Sequence, residues 1–207
     1  MKMSETQPGM VAKQYGGNTR PVINHMERTD LPGARQKIQK WDMIPDECFV
    51  QRMAGEFVKQ TSNELFNNKK IVLFSLPGAF TPTCSTKQLP AYEEMYDRFK
   101  AAGVDEVYCV SVNDGFVMNA WAKELGIEKV KLLADGNGDF TDSMGMLCTK
   151  RNKGFANRSW RYSLYAVNGI VQEAFVEPGF NHKGEDDDPY TCTDPETMIQ
   201  FIEAEGR

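Results

Sequence analysis

The chain has no Cys-x-x-Cys pair, only two histidines (His25 and His182) and no apolar run near the ~20 residues of a membrane span. The first two absences exclude an ordinary dithiol redox motif and leave too few ligands for a usual zinc site. The third argues against a membrane partner, and the lack of an apolar signal core argues against secretion. Positive charge is also short: 24 Lys+Arg stand against 29 Asp+Glu. No broad basic surface is therefore available for a nucleic-acid backbone. What cysteine there is, Cys48, Cys84, Cys109, Cys148 and Cys192, is odd in number and tens of residues apart. A disulfide scaffold fits this poorly, and a metal-free, cofactor-free cytoplasmic thiol protein fits it well.

At 207 residues the chain is long enough for one domain with a sizeable core. Residues 1–43 contain Gly16-Gly17, Pro21 and Pro32-Gly33 but no sustained apolar period, and read as a partly ordered extension. Seven Lys/Arg against four acids make this segment basic, which suits contact with its own acidic body or a neighbouring subunit. A regular pattern begins near Cys48, so a single domain over 44–207 is expected.

Strands are expected at 48–53, 56–60 and 70–76, with a short helix opened by a Thr61-x-x-Glu64 capping box. Then come helix 83–102, strand 106–112, helix 115–125, strand 131–134 and helix 138–147. Strands 160–167 and 170–177 meet at Asn168-Gly169, the strongest short hairpin signal. A last helix starts at Asp194-Pro195 and buries Met198, Ile199 and Ile202. This order predicts an α/β, thioredoxin-like fold with a mixed central sheet flanked by helices. The acidic stretch 179–190 reads as an exposed loop. Pro90, inside helix 83–102, should kink it.

The chemistry concentrates in Pro77-Gly78-Ala79-Phe80-Thr81-Pro82-Thr83-Cys84, which follows the apolar run Ile71–Leu76 and leads into a helix. Unpaired N–H groups and the dipole at a helix start favour a thiolate over a thiol. A thiolate can attack a peroxide O–O bond without metal or organic cofactor. Thr81 offers a hydroxyl three residues before Cys84, Arg161 a permanent cation with several donors, and Pro77 can shape the loop and exclude water. The plainer readings are an inert first-turn Cys84, an ordinary loop threonine and an ordinary strand-end arginine. Only their conjunction raises them above that. Cys109 reads as core, Cys48 as packed on an early strand, and Cys148 as incidental. Asp135-x-Asn137-x-Asp139 lacks the Gly and Glu of a calcium loop, so a helix-capping turn is expected there.

The octet resembles the active-site motif of the peroxiredoxins, in its fuller form the peroxiredoxin-five subfamily. Val110-Ser111-Val112-Asn113-Asp114, Leu133-Ala134-Asp135, Arg161-Tyr162-Ser163 and Asn168-Gly169-Ile170-Val171 match that subfamily in order and spacing. The resemblance covers about Ile44 to Arg207. It implies a thiol peroxidase acting on hydrogen peroxide and alkyl hydroperoxides, with Cys84 as nucleophile and Pro77, Thr81 and Arg161 around it. It also implies a homodimer. Cys192 lies where animal members carry a resolving thiol, which would imply an intramolecular disulfide reduced by thioredoxin. The segments Arg158–Ser163 and Phe116–Trp121 look more like the bacterial group, which implies glutathione and glutaredoxin instead. The alternatives are a glutaredoxin-like thiol-disulfide oxidoreductase, which the missing Cys-x-x-Cys disfavours, and a non-catalytic thiol redox sensor.

Overall fold

A computed structural model describes residues 35–206, and most of the expected extension therefore lies outside the described residues. Within it, residues 35–44 run along the body. Ile38 N–H donates to the Met144 carbonyl at 2.9 Å, and Trp41 N–H to that of Val171 at 2.8 Å. Ile38 and Ile44 are buried.

β1 (Cys48–Met53) and β2 (Glu56–Thr61) form an antiparallel hairpin. Thr61 then caps α1 (Ser62–Phe66) with the full reciprocal box. The main sheet has five strands: β3 (Lys70–Ser75), β4 (Glu106–Ser111), β5 (Lys131–Ala134), β8 (Tyr162–Val167) and β9 (Ile170–Val176). Its order is β5-β4-β3-β8-β9, parallel on the β4 side of β3 and antiparallel on the β8 side. It is the expected mixed sheet. Asn168 and Gly169, both at positive φ, turn the β8–β9 hairpin as the sequence predicts.

β3 is buried on both faces because each face has its own cover. Val72 and Phe74 pack with α2 (Leu89–Glu94), α3 (Tyr96–Ala101), α4 (Gly115–Leu125) and α6 (Pro195–Glu205) through Tyr92, Phe99, Trp121 and Ile199. Ile71 and Leu73, pointing the other way, pack with Phe49, Phe66 and Phe140.

Four expectations need correction. The single helix 83–102 is three pieces: a π segment (Cys84–Gln88), α2, and α3 after a break at Met95. Pro90 has no N–H and its ring would strike the carbonyl four residues back, so the turn before it widens; Leu89 N–H reaches the Cys84 carbonyl instead. The helix expected over 138–147 is only α5 (Asp139–Ser143). Gly145, at φ +67°, ends it, and a Cβ there would collide with the Gln36 carbonyl oxygen. The chain then makes β6 (Leu147–Thr149), antiparallel to β7 (Asn157–Ser159), and the strand expected over 160–167 begins only at Tyr162, after Trp160-Arg161. Finally, the stretch 179–190 is half-buried rather than exposed: Gly184 is buried against Asn152, and the Asp186 carboxylate is 4% exposed. The expected capping role of Asp135 is present, its carboxylate accepting from Phe140 and Thr141 N–H at 3.2 and 2.8 Å.

Candidate active site

β3 delivers the chain into the loop 77–83, and the end of β4 holds that loop. Asn113 accepts from Ala79 N–H at 3.0 Å and from the Ser111 hydroxyl at 2.7 Å. A Cβ on Gly78 would lie 2.8 Å from Arg158 Nη1, so a larger residue there would displace that guanidinium. The loop returns at Thr81, whose carbonyl accepts from Ser85 N–H at 3.0 Å. Cys84 thus opens the π segment, fully buried. Trp121 Nε1 donates to Ser85 Oγ at 3.0 Å and ties this turn to α4.

Arg161 leaves the sheet between β7 and β8 and is 2% exposed. Its Nη1 donates to Cys84 Sγ at 3.6 Å and to Gln88 Oε1. Its Nη2 donates to Asp188, and its Nε to the Pro189 carbonyl at 3.0 Å. Burial works against the guanidinium charge, but Cys84 and Asp188 outweigh it and push the pKa of Arg161 up. The cation is permanent. A second arginine, Arg158, is also near enough for the Cys84 charge to favour its cation, although burial lowers its pKa on balance. Arg158 donates to the carbonyls of Phe155 and Val112 at 3.1 and 3.3 Å.

Pro77 and Thr81 line a cavity of about 310 Å³ beside this pair, together with Phe155, Lys153 and Asp188. The Thr81 hydroxyl donates to the Gly78 carbonyl at 2.8 Å, so its donor is turned into its own loop rather than toward sulfur. Its lone pairs are left for an incoming donor.

Cys192 has a different setting. Its Sγ donates to the Val176 carbonyl at 3.5 Å, and both Cys84 and Cys192 are free thiols. The buried carboxylate of Glu177 accepts from the N–H groups of Thr191, Cys192 and Thr193 and from both threonine hydroxyls, at 2.7–3.0 Å. These bonds offset the cost of burial and hold Glu177 below its ordinary carboxylate range. Burial and that same carboxylate push the Cys192 thiol up to about 11.

Of the other cysteines, Cys109 is core as expected, its thiol raised by burial and then by Cys84. Cys148 is buried too and pushed by burial to about 11. Cys48 is exposed, not packed, because the alternation of β1 turns Phe49 inward and Cys48 out.

Three site residues escaped the sequence reading. Gln88 follows Cys84 by four residues, a spacing that puts two side chains on one helix face. Arg158 precedes Arg161 by three. Asp188 carried no signal, since a run of acids reads as a solvated loop, yet it sits on Arg161.

A buried cysteine under a buried arginine, at a helix start on this mixed sheet, is the arrangement of a thioredoxin-fold thiol protein. Known proteins agree. Residues 42–189 match the Redoxin family model. The chain is 46% identical over 170 residues to Peroxiredoxin sll1621 of Synechocystis sp., covering 78% of this chain and 89% of that one. It is 47% identical over 159 residues to Hybrid peroxiredoxin hyPrx5 of Haemophilus influenzae, covering 77% of this chain and 64% of the relative. Among solved structures, the Plasmodium falciparum antioxidant protein, a 1-Cys peroxiredoxin, superposes with TM-score 0.76 at 41% identity, over 81% of this chain and 99% of that one. The chain belongs to the redoxin family, as a peroxiredoxin of the peroxiredoxin-five-like type. It is a thiol-dependent peroxidase, acting on peroxides and drawing on thiol reductants.

Proposed function

We propose that Cys84 is the thiol that attacks the peroxide and that an external thiol, glutathione with glutaredoxin, regenerates it without help from Cys192. The observation that carries the first part is the 3.6 Å contact between Arg161 Nη1 and Cys84 Sγ, with both groups buried. A buried cation stabilises the thiolate before reaction and the negative charge on the leaving oxygen during it. The thiolate attacks one peroxide oxygen, the O–O bond breaks, and the departing oxygen takes a proton to leave as water or an alcohol. Cys84 is left as the sulfenic acid. Thr81 accepts the peroxide proton side, Pro77 walls the cavity against water, and the unpartnered Nε2 of buried Gln88 is a spare donor beside Arg161. Glutathione thiolate then attacks the sulfenate sulfur with loss of water, and a second thiol exchange, catalysed by glutaredoxin, releases Cys84.

The setting of Cys192 supports the second part. Its segment is pinned by five hydrogen bonds to Glu177, and a thiol pushed to about 11 has little thiolate at neutral pH. The relative of known structure described as a 1-Cys peroxiredoxin points the same way. Hydrogen peroxide and alkyl hydroperoxides are the proposed substrates. A cytoplasmic location rests on the odd, widely spaced cysteines, all free. A homodimer rests on Phe80 and Phe116, which are 56% and 57% exposed beside the Cys84 loop and the start of α4.

The test is peroxide turnover by Cys84→Ser and Cys192→Ser with glutathione and glutaredoxin. Complete loss in the first and retention in the second are expected. Turnover surviving in Cys84→Ser contradicts the assignment of the nucleophile.

A further inference from the structure

The chain as a whole is acidic, but the lining of the cavity beside Cys84 is not. Lys150 and Lys153 lie on it with a single carboxylate, Asp188, and that carboxylate is held by Arg161. The two lysines share one further acid, Asp186. Lys150 Nζ takes it at 2.7 Å, and this pair is buried, the side chains being 3% and 4% exposed. Lys153 Nζ reaches the same carboxylate only at 3.5 Å, and its side chain is 35% exposed. One carboxylate therefore serves two cations, and Lys153 holds it loosely, its nearer contact being the Asp186 main-chain carbonyl at 3.2 Å. Arg158, its guanidinium 5.3 Å from the centroid of the Phe155 ring, is a further cation close by and donates to main-chain carbonyls. The rest of the lining is mostly apolar, with Pro77, Pro82 and Phe155 as its walls.

We propose that this cavity is a subsite for a carboxylate-bearing reactant. Its carboxylate pairs with Lys153, its apolar body lies against Phe155 and the two prolines, and its reacting atom faces the Cys84 sulfur. The inference rests on Cys84 being the reacting thiol. Two reactants share this chemistry: an organic hydroperoxide carrying a carboxylate, and glutathione with its two carboxylates. In the first case one peroxide oxygen passes to sulfur and the other leaves as the alcohol, the carboxylate unchanged. In the second the thiolate attacks the Cys84 sulfenic acid and water leaves. Either way a cation at the mouth raises the local concentration of an anionic reactant, and the gain fades with salt. A neutral hydrogen peroxide molecule gains nothing from it.

The experiment compares wild type with Lys153→Gln, which removes the charge, and Lys153→Glu, which reverses it. Second-order rates of Cys84 oxidation are measured with hydrogen peroxide, 4-carboxycumene hydroperoxide and the methyl ester of the latter. Rates of reduction of the oxidised protein are measured with glutathione and its diethyl ester. Lys153→Gln should slow the acid form about five-fold, the scale of one partly exposed ion pair. Lys153→Glu should slow it further. The esters and hydrogen peroxide should stay within about two-fold of wild type on the same reasoning, and raising the salt should erase the difference between acid and ester. A loss in the hydroperoxide arm, the glutathione arm or both identifies which reactant the subsite serves. Equal effects on acid and ester in both arms, or none, overturn the subsite and leave the peroxidase assignment intact. A wild-type protein whose Cys84 does not react with hydrogen peroxide overturns that assignment instead.

Discussion

Cys84 and Cys192 are the same side chain in opposite electrostatic settings. Cys84 faces the guanidinium of Arg161, a cation kept charged by Cys84 and Asp188 despite burial. Cys192 faces Glu177, a carboxylate kept charged by five hydrogen bonds from the very segment that carries the thiol. A buried charge of one sign favours the thiolate and a buried charge of the other sign opposes it. The difference in reactivity proposed for the two cysteines therefore rests on the residues they are folded against, not on the thiols or their exposure. Cys84 is in fact the more buried of the two.

The strongest way to break the contrast is to remove the cation. Arg161→Ala should cost roughly 3 kcal/mol of transition-state stabilisation, about two orders of magnitude in the rate with peroxide, by analogy with loss of one oxyanion donor. Stopped-flow kinetics at neutral pH reads this directly. Unchanged kinetics would mean that the 3.6 Å contact has no part in the reaction.

Next in size is the opposite charge. Glu177→Gln should lower stability by about 2 kcal/mol, the scale of hydrogen bonds to a charged group, while peroxide kinetics at Cys84 change little. The carboxyl of Glu177 is held below its ordinary range in the folded protein. Its contribution is therefore fully present above the unfolded carboxyl pKa and is lost as pH falls through the folded one. The stability gap between wild type and Glu177→Gln, followed by urea unfolding, should narrow as the solution is acidified. A gap that widens in acid contradicts the clamp.

Gln88→Met keeps the volume but removes the acceptor that shares Arg161 Nη1 with Cys84. A loss of about 1 kcal/mol, or roughly five-fold in the peroxide rate, is expected from one buried hydrogen bond. Cys192→Ser should be the mildest change. Stability should move by less than about 0.5 kcal/mol, as for a substitution outside the core that keeps a hydroxyl donor for the Val176 carbonyl, and turnover with glutathione and glutaredoxin should be wild-type.

The two halves of the contrast were not equally legible in the chain. The Cys84 half was: an apolar strand, a loop rich in proline, and a helix-start cysteine follow one another within fifteen residues. Local signals of the same kind located the Thr61 capping box, the Asn168-Gly169 turn and the Asp194 cap of α6, each of which is a neighbour-to-neighbour interaction. The π segment was only half legible. Pro90 announces that a backbone bond is missing, but the turn that absorbs the loss also packs against Trp121, which donates to Ser85 from thirty-six residues away. β6 and β7 were missed because the buried run from Met144 to Cys148 suits a helix as well as a strand, and Gly145 was passed over as a stop signal. The acidic loop misled for a related reason. Charge runs look solvated until their partners are known, and Lys150 and Arg161 stand 36 and 27 residues from Asp186 and Asp188. Glu177 and Cys192, fifteen residues apart across a loop, belong with these long-range pairs.

The central claim is that the charge facing each thiol decides which one reacts, and the most direct measurement is peptide mapping after one equivalent of hydrogen peroxide in the presence of glutathione. Mass spectrometry should find the glutathione adduct on Cys84, with Cys192 still a free thiol, and the same adduct in the same yield in Cys192→Ser. A Cys84–Cys192 disulfide as the main product, or oxidation of Cys192 ahead of Cys84, would contradict the account.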